Sequence, residues 1–415
     1  MSQSKEIFPH VIEDDKFYRQ LSIKLEEIAQ CVMDYCGQTP AKKEYGLYNG
    51  ESGLSLFLFY FAEYANDKKI KNQAIEVLYS VFRDMNTRDT IDLSYCQGLT
   101  GVYALLYHLL KQGFIDSNLF YFDSDIEKAI IREVYAGIDT RNYDFLYGVT
   151  GYLFFLFLKY ECTKSSNDLK LISNIIETIY QKIRQDELHF AFFQNVQGKV
   201  NIGLAHGVSG LLLVLSHIYK SGIKHQNLYA LMDNIITFLM PFTRRKNDCL
   251  SYFPYAYEIN KEADCNSRLG WCYGDIGSAQ ALMQYASIIQ DKKKYDDSMS
   301  ILLNTTKRKD LEKNKIFDGG LCHGSAGIAV IYNRLHRDTS NKAYKNYSDY
   351  WYLTTLKFAE YEHGYAGFCS AKNSDGVYVY EKDISLLNGV VGIGLAIISK
   401  LSNVLCNWEE LFLIN

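Results

Sequence analysis

Two cysteines and a histidine stand at matched places in this chain: Cys272, and the adjacent pair Cys322 and His323. Cys272 lies two residues before Gly274 and Cys322 two before Gly324, and each glycine opens a Gly-x-x-Gly step. Two thiolates and one imidazole make a good zinc donor set. Three protein ligands leave a fourth position open, which is the pattern of a catalytic rather than a structural site. Two further reactive side chains occupy comparable slots, with His206 immediately before Gly207 and Asp144 four positions before Gly148. A single buried cysteine is more often a small hydrophobe than a ligand. The shared slot is what singles out Cys272, Cys322 and His323.

The elements that position these residues follow from the repeat itself. Gly-x-x-Gly steps begin at Gly50, Gly98, Gly148, Gly207, Gly274, Gly324 and Gly389, and each leads into an apolar run. A recurrence near fifty residues suits one helical hairpin per repeat. Runs such as Tyr152 to Leu158 and Leu211 to Leu215 are apolar nearly all round, as helices buried on every side must be. The segments between them keep a 3.6-residue apolar period with one wet face, as in Ile70, Ala74, Ile75, Leu78, Val81 and Phe82, or Ile172, Ile175, Ile176, Ile179 and Ile183.

Alternating buried and half-wet helices pack as an inner ring sheathed by an outer one. The fold is therefore read as all-α: an α,α-toroid of about seven inner and seven outer helices, a single domain over residues 1–415 with short β-hairpin loop insertions. Residues 241–270 and 363–384 read as long rim loops, the second with a hairpin turning at Ser374, Asp375 and Gly376. Around such a ring, equivalent slots in consecutive repeats are neighbours, so Asp144, His206, Cys272, Cys322 and His323 converge on one rim. The slots of repeats one, two and seven hold Asn49, Gln97 and Asn388, ordinary turn or capping residues.

Composition excludes other classes. With 44 Lys and Arg against 48 Asp and Glu there is no basic surface for nucleic acid. The N-terminal stretch lacks the basic start and apolar core of an export signal, and no apolar run approaches a transmembrane length. The four prolines, Pro9, Pro40, Pro241 and Pro254, all fall outside the apolar runs. Ten cysteines at irregular intervals argue against a disulfide framework and for reduced thiols in a cytosolic setting. The cysteines at 31, 36, 96, 162, 249, 265, 369 and 406 read as packing or surface residues. His108 and His217 read as packing residues, while the loop residue His363 stays open.

The segments GLAHGVSG around His206, SRLGWCYGDIG around Cys272 and LCHGSAG around Cys322, in that order, resemble the lanthionine synthetase C-like family, whose bacterial members are the lantibiotic cyclases. The seven repeats extend the resemblance over nearly the whole chain. It implies a stand-alone zinc enzyme that closes thioether rings in a dehydrated lanthipeptide precursor, adding Cys thiols to dehydroalanine and dehydrobutyrine. It implies Zn2+ on Cys272, Cys322 and His323, with His206 as acid/base and Asp144 orienting it. Arg268 would stabilise the enolate oxygen and Tyr273 would donate a hydrogen bond. Against these stand an N-cap role for Asp144 and packing roles for Arg268 and Tyr273. Implied partners are the precursor, a lantibiotic dehydratase and a transporter complex. The implied location is cytoplasmic, with membrane association through those partner proteins. Two other readings compete: a non-catalytic zinc- and peptide-binding scaffold, and a different enzyme on a similar barrel. A glycosidase would need paired carboxylates, and Asp144 is the sole carboxylate among the slot residues. The stretch DGVYVYEKD does not map onto the family pattern.

Overall fold

The computed structural model describes residues 14–38, 44–85, 88, 90–117, 123–184, 193–195, 197–244, 249–402 and 404–414. Pro9, Pro40 and residues 245–248 of the first rim loop lie outside them. In chain order the α-helices among these residues are α1 (Asp14–Cys36), α2 (Glu51–Ala65), α3 (Lys68–Met85), α4 (Leu99–Lys111), α5 (Ser124–Asp139), α6 (Val149–Thr163) and α7 (Ser166–Arg184). They continue with α8 (Val208–Lys220), α9 (Leu228–Leu239), α10 (Asp275–Ile288), α11 (Lys292–Thr305), α12 (Ser325–Thr339), α13 (Lys342–Lys357) and α14 (Val390–Leu401).

The even-numbered helices form the inner ring. Every residue of α6 from Val149 to Leu158 is buried. The odd-numbered helices sheathe it: α3 buries Ala74, Val77, Leu78, Val81 and Met85, and α7 buries the isoleucine stripe from Ile172 to Ile183. Each inner helix starts after the first glycine of its step. Gly274 alone among these caps has positive φ, +98°, and a Cβ there would sit 2.1 Å from the Arg268 carbonyl oxygen, so only glycine fits.

The residues just ahead of the inner helices are stitched together by backbone hydrogen bonds. Leu387 N donates to Tyr48 O (3.0 Å), Tyr48 N to Cys96 O (3.0 Å), Cys96 N to Leu146 O (3.0 Å) and Phe145 N to Ala205 O (2.8 Å). Ala205 N then donates to Cys272 O (3.1 Å), Cys272 N to Cys322 O (3.2 Å) and Cys322 N to Leu387 O (3.0 Å). The links return to their starting point, so the seven repeats form a closed ring of the toroid expected from the sequence.

A short 3-10 turn, Asn407–Phe412, packs against aromatic residues of this ring. Tyr48 and Tyr95 donate their hydroxyls to Leu411 O (2.7 and 3.0 Å), and Trp271 Nε1 donates to Phe412 O (2.7 Å). His108 does more than pack: its ring nitrogens meet Tyr60 Oη at 2.9 Å and Glu410 Oε1 at 2.6 Å. It thereby ties the turn to α2 and α4.

Strand β1 (Lys199–Asn201) pairs antiparallel with β2 (Ala256–Glu258). The expected hairpin is β3 (Ser370–Ser374) and β4 (Val377–Glu381), turning through Asp375 and Gly376, both with positive φ as a tight two-residue hairpin requires. One expectation is corrected. Cys249 and Cys265, read as reduced packing or surface residues, are joined in a disulfide. The first rim loop doubles back, with Ser251 N on Cys265 O (2.8 Å) and Ser267 N on Ser251 Oγ (3.1 Å), and this brings the two Cα atoms to 5.2 Å. Loop-path pairing of this kind leaves no periodic mark in a sequence. Among the described residues no helix is long and apolar enough to cross a membrane.

Candidate metal centre and acid–base pair

The backbone ring sets Cys272 and Cys322 side by side, and Trp271 N adds a second donor to Cys322 O at 3.1 Å. The ligand atoms of Cys272, Cys322 and His323 all lie within 4.8 Å of one another. Both cysteines are buried and His323 is half-buried. A hydrogen bond from Cys322 holds the Cys272 thiol well below its ordinary range despite burial, helped by His323 and the charge of Arg268. The same hydrogen bond, with burial, pushes the Cys322 thiol well above it. Ligands bound at about 2.0–2.3 Å to one tetrahedral ion stand under about 4 Å apart, which is compatible with ligand atoms that all lie within 4.8 Å of one another. Two sulfurs and a nitrogen in a buried pocket fit a borderline-soft divalent ion such as zinc.

His206 is the next member of the arc. Its Nδ1 lies 2.7 Å from Asp144 Oδ2, while Asp144 Oδ1 accepts from Leu146 N (2.7 Å) and Tyr147 N (2.9 Å). Asp144 is not the N-cap expected as the alternative, since Gly148 caps α6 with no side-chain bond; one of its oxygens braces the turn ahead of the helix and the other meets the imidazole. A proton held on Nδ1 by this contact leaves Nε2 as the nitrogen turned away from Asp144. Burial alone would lower the His206 pKa, but the hydrogen bond and charge of Asp144, with the charge on Cys272, raise it above its ordinary value. Tyr273 stacks on the His206 ring (5.1 Å between centroids, 27°), and burial drives its phenol up. Gly203 makes room for this stack, because a Cβ there would fall 2.5 Å from both Tyr273 Cδ1 and the Cys272 carbonyl oxygen. A cavity of about 300 Å³ borders His206 and Asp144, with Arg141, Asn142, Asn195 and Asn201 in its wall.

Arg268 stands at a telling position. Six residues before the opening glycine the repeats carry Glu44, Asp92, Asn142, Asn201, Arg268, Asp318 and Asp383. Asp92, Asp318 and Asp383 use Oδ1 to accept the amide two residues on, at 2.6, 2.9 and 2.8 Å. Repeat five alone places a cation there. The Arg268 charge faces the Cys272 and Cys322 sulfurs. Its stem runs close to His323: a Cβ on the intervening Gly270 would lie 3.6 Å from Arg268 Cδ and 3.3 Å from His323 Cα.

Two histidines fall outside the centre. His363 Nε2 sits 3.4 Å from Cys369 Sγ, and His217 is half-buried with its Nε2 shut off from solvent, desolvation pushing its pKa down to about 4. Sequence reasoning missed Tyr255 in the disulfide-closed loop, whose hydroxyl accepts from Arg268 N at 2.9 Å. Loop aromatics were the only signal, and 34 tyrosines dilute it.

The chain resembles known proteins over most of its length. Nisin biosynthesis protein NisC of Lactococcus lactis subsp. lactis is 22% identical over 339 residues, covering 76% of this chain and 80% of that protein. Glutathione S-transferase LANCL1 of Danio rerio is 22% identical over 306 residues, covering 71% and 70%. The solved structure of nisin cyclase superposes with a TM-score of 0.71 at 18% identity, covering 95% of this chain and 98% of the other, which shows the shared fold. The sequence profile described as lanthionine synthetase C-like protein matches residues 41–413, and the chain belongs to that family.

Proposed function

We propose that this chain is a zinc-dependent peptide cyclase that joins cysteine thiols to dehydroalanine or dehydrobutyrine in a dehydrated precursor peptide. The carrying observation is the buried Cys272, Cys322 and His323 cluster set in one rim arc with the Asp144–His206 pair. Zinc held by the three residues would take a substrate thiol at its open position and keep it as a thiolate at neutral pH. The relatives' names, a nisin biosynthesis protein and a nisin cyclase, support a peptide substrate. On this reading a dehydratase supplies the precursor, and the chain works beside it and a transporter in the cytoplasm.

The chain's own residues then divide the work. Sulfur adds to Cβ, and charge develops on the enolate of the former dehydro residue. Arg268 offers fixed donors to that oxygen without losing a proton. His206, kept as imidazolium by Asp144, delivers its Nε2 proton to Cα. Tyr273 keeps the His206 ring flat and can donate its own hydroxyl. The thiol hydrogen and sulfur both end on the peptide, so the reaction is an isomerisation.

Mass therefore does not change, and the test counts thiols. Zinc-loaded protein incubated with a dehydrated precursor is expected to remove iodoacetamide-reactive thiols one per ring, while chelator-treated protein does not. Equal ring closure by metal-free protein overturns the proposal. A second reading, addition of a separate thiol such as glutathione, draws on the Danio rerio relative. The same assay distinguishes it, since that product gains the mass of the added thiol.

A pH prediction follows from the Asp144–His206 contact. His206 acts protonated, so kcat/KM falls on the alkaline side as the imidazolium is lost. Asp144 raises that pKa and burial opposes it, so Asp144→Asn leaves burial to lower it. The alkaline limb of kcat/KM is expected to move to lower pH in Asp144→Asn, measured as initial rates of thiol loss across a pH series.

A further inference from the structure

We propose that Tyr255 is a positioning residue that fixes the Arg268 guanidinium beside the Cys272 and Cys322 sulfurs and braces Tyr273 against His206. The inference rests on the cyclase reading of the same site. Tyr255 is anchored from both ends. Its carbonyl accepts from Ile202 N at 3.0 Å, next to the Asn201 to Ala256 pairing of β1 with β2, and its loop is closed by the Cys249–Cys265 disulfide. Its hydroxyl accepts from Arg268 N at 2.9 Å and from Lys315 Nζ at 3.3 Å, and it also meets the Arg268 side chain. Lys315 is itself held by Asn266 O at 3.2 Å.

The ring of Tyr255 continues the arrangement. It meets Tyr273 edge-to-face (5.2 Å, 76°), and Tyr273 in turn stacks on His206. One side chain thus touches both the cation and the aromatic that flanks the acid/base. The choice of a phenol has a physical reason. Among the described residues no carboxylate pairs with Arg268, although acids are the usual anchor for a buried guanidinium. A carboxylate would cancel the positive field on the sulfurs and the enolate oxygen. A neutral hydroxyl anchors the Arg268 backbone through its amide, beside the side chain, and leaves the guanidinium charge available. The six other repeats have an acid or amide at the Arg268 position, and in repeat five the Tyr255 oxygen accepts the amide of Arg268 itself.

The test is a double-mutant cycle in the zinc-loaded full chain, with Tyr255→Phe, Arg268→Ala and the pair. Tyr255→Phe keeps the ring and removes the hydroxyl. It is expected to lower kcat about ten-fold with KM for the precursor within about two-fold and zinc content unchanged, because a misplaced catalytic group costs rate rather than binding. On Arg268→Ala the same substitution is expected to add nothing, since its effect runs through the arginine. An unchanged kcat, or full additivity with Arg268→Ala, overturns the proposal. A wild-type protein that closes no rings fails the cyclase reading, and a second arm still tests Tyr255. In cobalt-substituted protein, 2-mercaptoethanol affinity read from the thiolate absorption band is expected to fall several-fold in Tyr255→Phe. Equal affinity there counts against it.

Discussion

Cys272→Ala is expected to leave the protein folded, empty of zinc and at least about a thousand-fold slower in ring closure. Three donors converge on one ion site, and removing a buried thiolate leaves two ligands, one of them a half-buried imidazole. The kinetic loss has two parts. A free peptide thiol with a pKa near 8.5 is only about 3% thiolate at pH 7, so losing the metal costs roughly thirty-fold in nucleophile. Losing the fixed position of the sulfur next to His206 costs on the order of a further hundred-fold. Zinc per chain by elemental analysis and initial rates of thiol loss check both parts. Cys96→Ala is the matched control. Cys96 also lies two residues before its glycine, Gly98, yet its sulfur accepts hydrogen bonds from Asn49 and Tyr147, and burial pushes its thiol up to about 12. Zinc content is expected to be unchanged in that variant, and a zinc loss there as large as in Cys272→Ala would contradict the assignment of the ligands.

His206→Asn is expected to keep zinc and precursor binding while lowering kcat by about 10²–10⁴-fold, the usual contribution of a positioned acid. The asparagine retains a donor toward Asp144 Oδ2, so the turn braced by Leu146 N and Tyr147 N survives. A proton that reaches Cα from solvent instead of from Nε2 is not directed to one face. The product of the variant is therefore expected to be an epimer mixture in place of the wild-type outcome, read by chromatography of the hydrolysed amino acids. Full activity in His206→Asn would favour the scaffold reading, with the chain holding peptide and metal while chemistry proceeds unassisted.

What could be read from the residues depended on periodicity. The isoleucines of α7 and the continuous apolar run of α6 follow from burial, which imposes a period on sequence. The clustering of Cys272, Cys322 and His323 was legible for the same reason, because ring geometry converts equal slots into neighbours. Slot position alone would have overcounted, as Cys96 shows. Asp144 could be placed in the arc, but its division of labour could not, since one oxygen serves a local turn and the other a residue 62 positions away. Tyr255, the Cys249–Cys265 bond and the Asn407–Phe412 turn were invisible because each is fixed by a single loop path and contacts distant in sequence. The Arg268 position did carry a signal: aligned six residues ahead of the glycines, it is the lone cation among acids and amides.

The ring of backbone hydrogen bonds is closed by the Leu387 to Tyr48 link, where the first and last repeats must find each other across 339 residues of sequence (387 minus 48). Long-range closures form late, and chain ends fray first. Asp144, His206, Cys272 and Cys322 belong to repeats three to six, and Cys322 N donates to the carbonyl of the same Leu387 that closes the seam. One residue, Leu387, thus joins the two ends of the repeat array and at the same time holds the backbone of Cys322, so closing the toroid and placing that cysteine are one event.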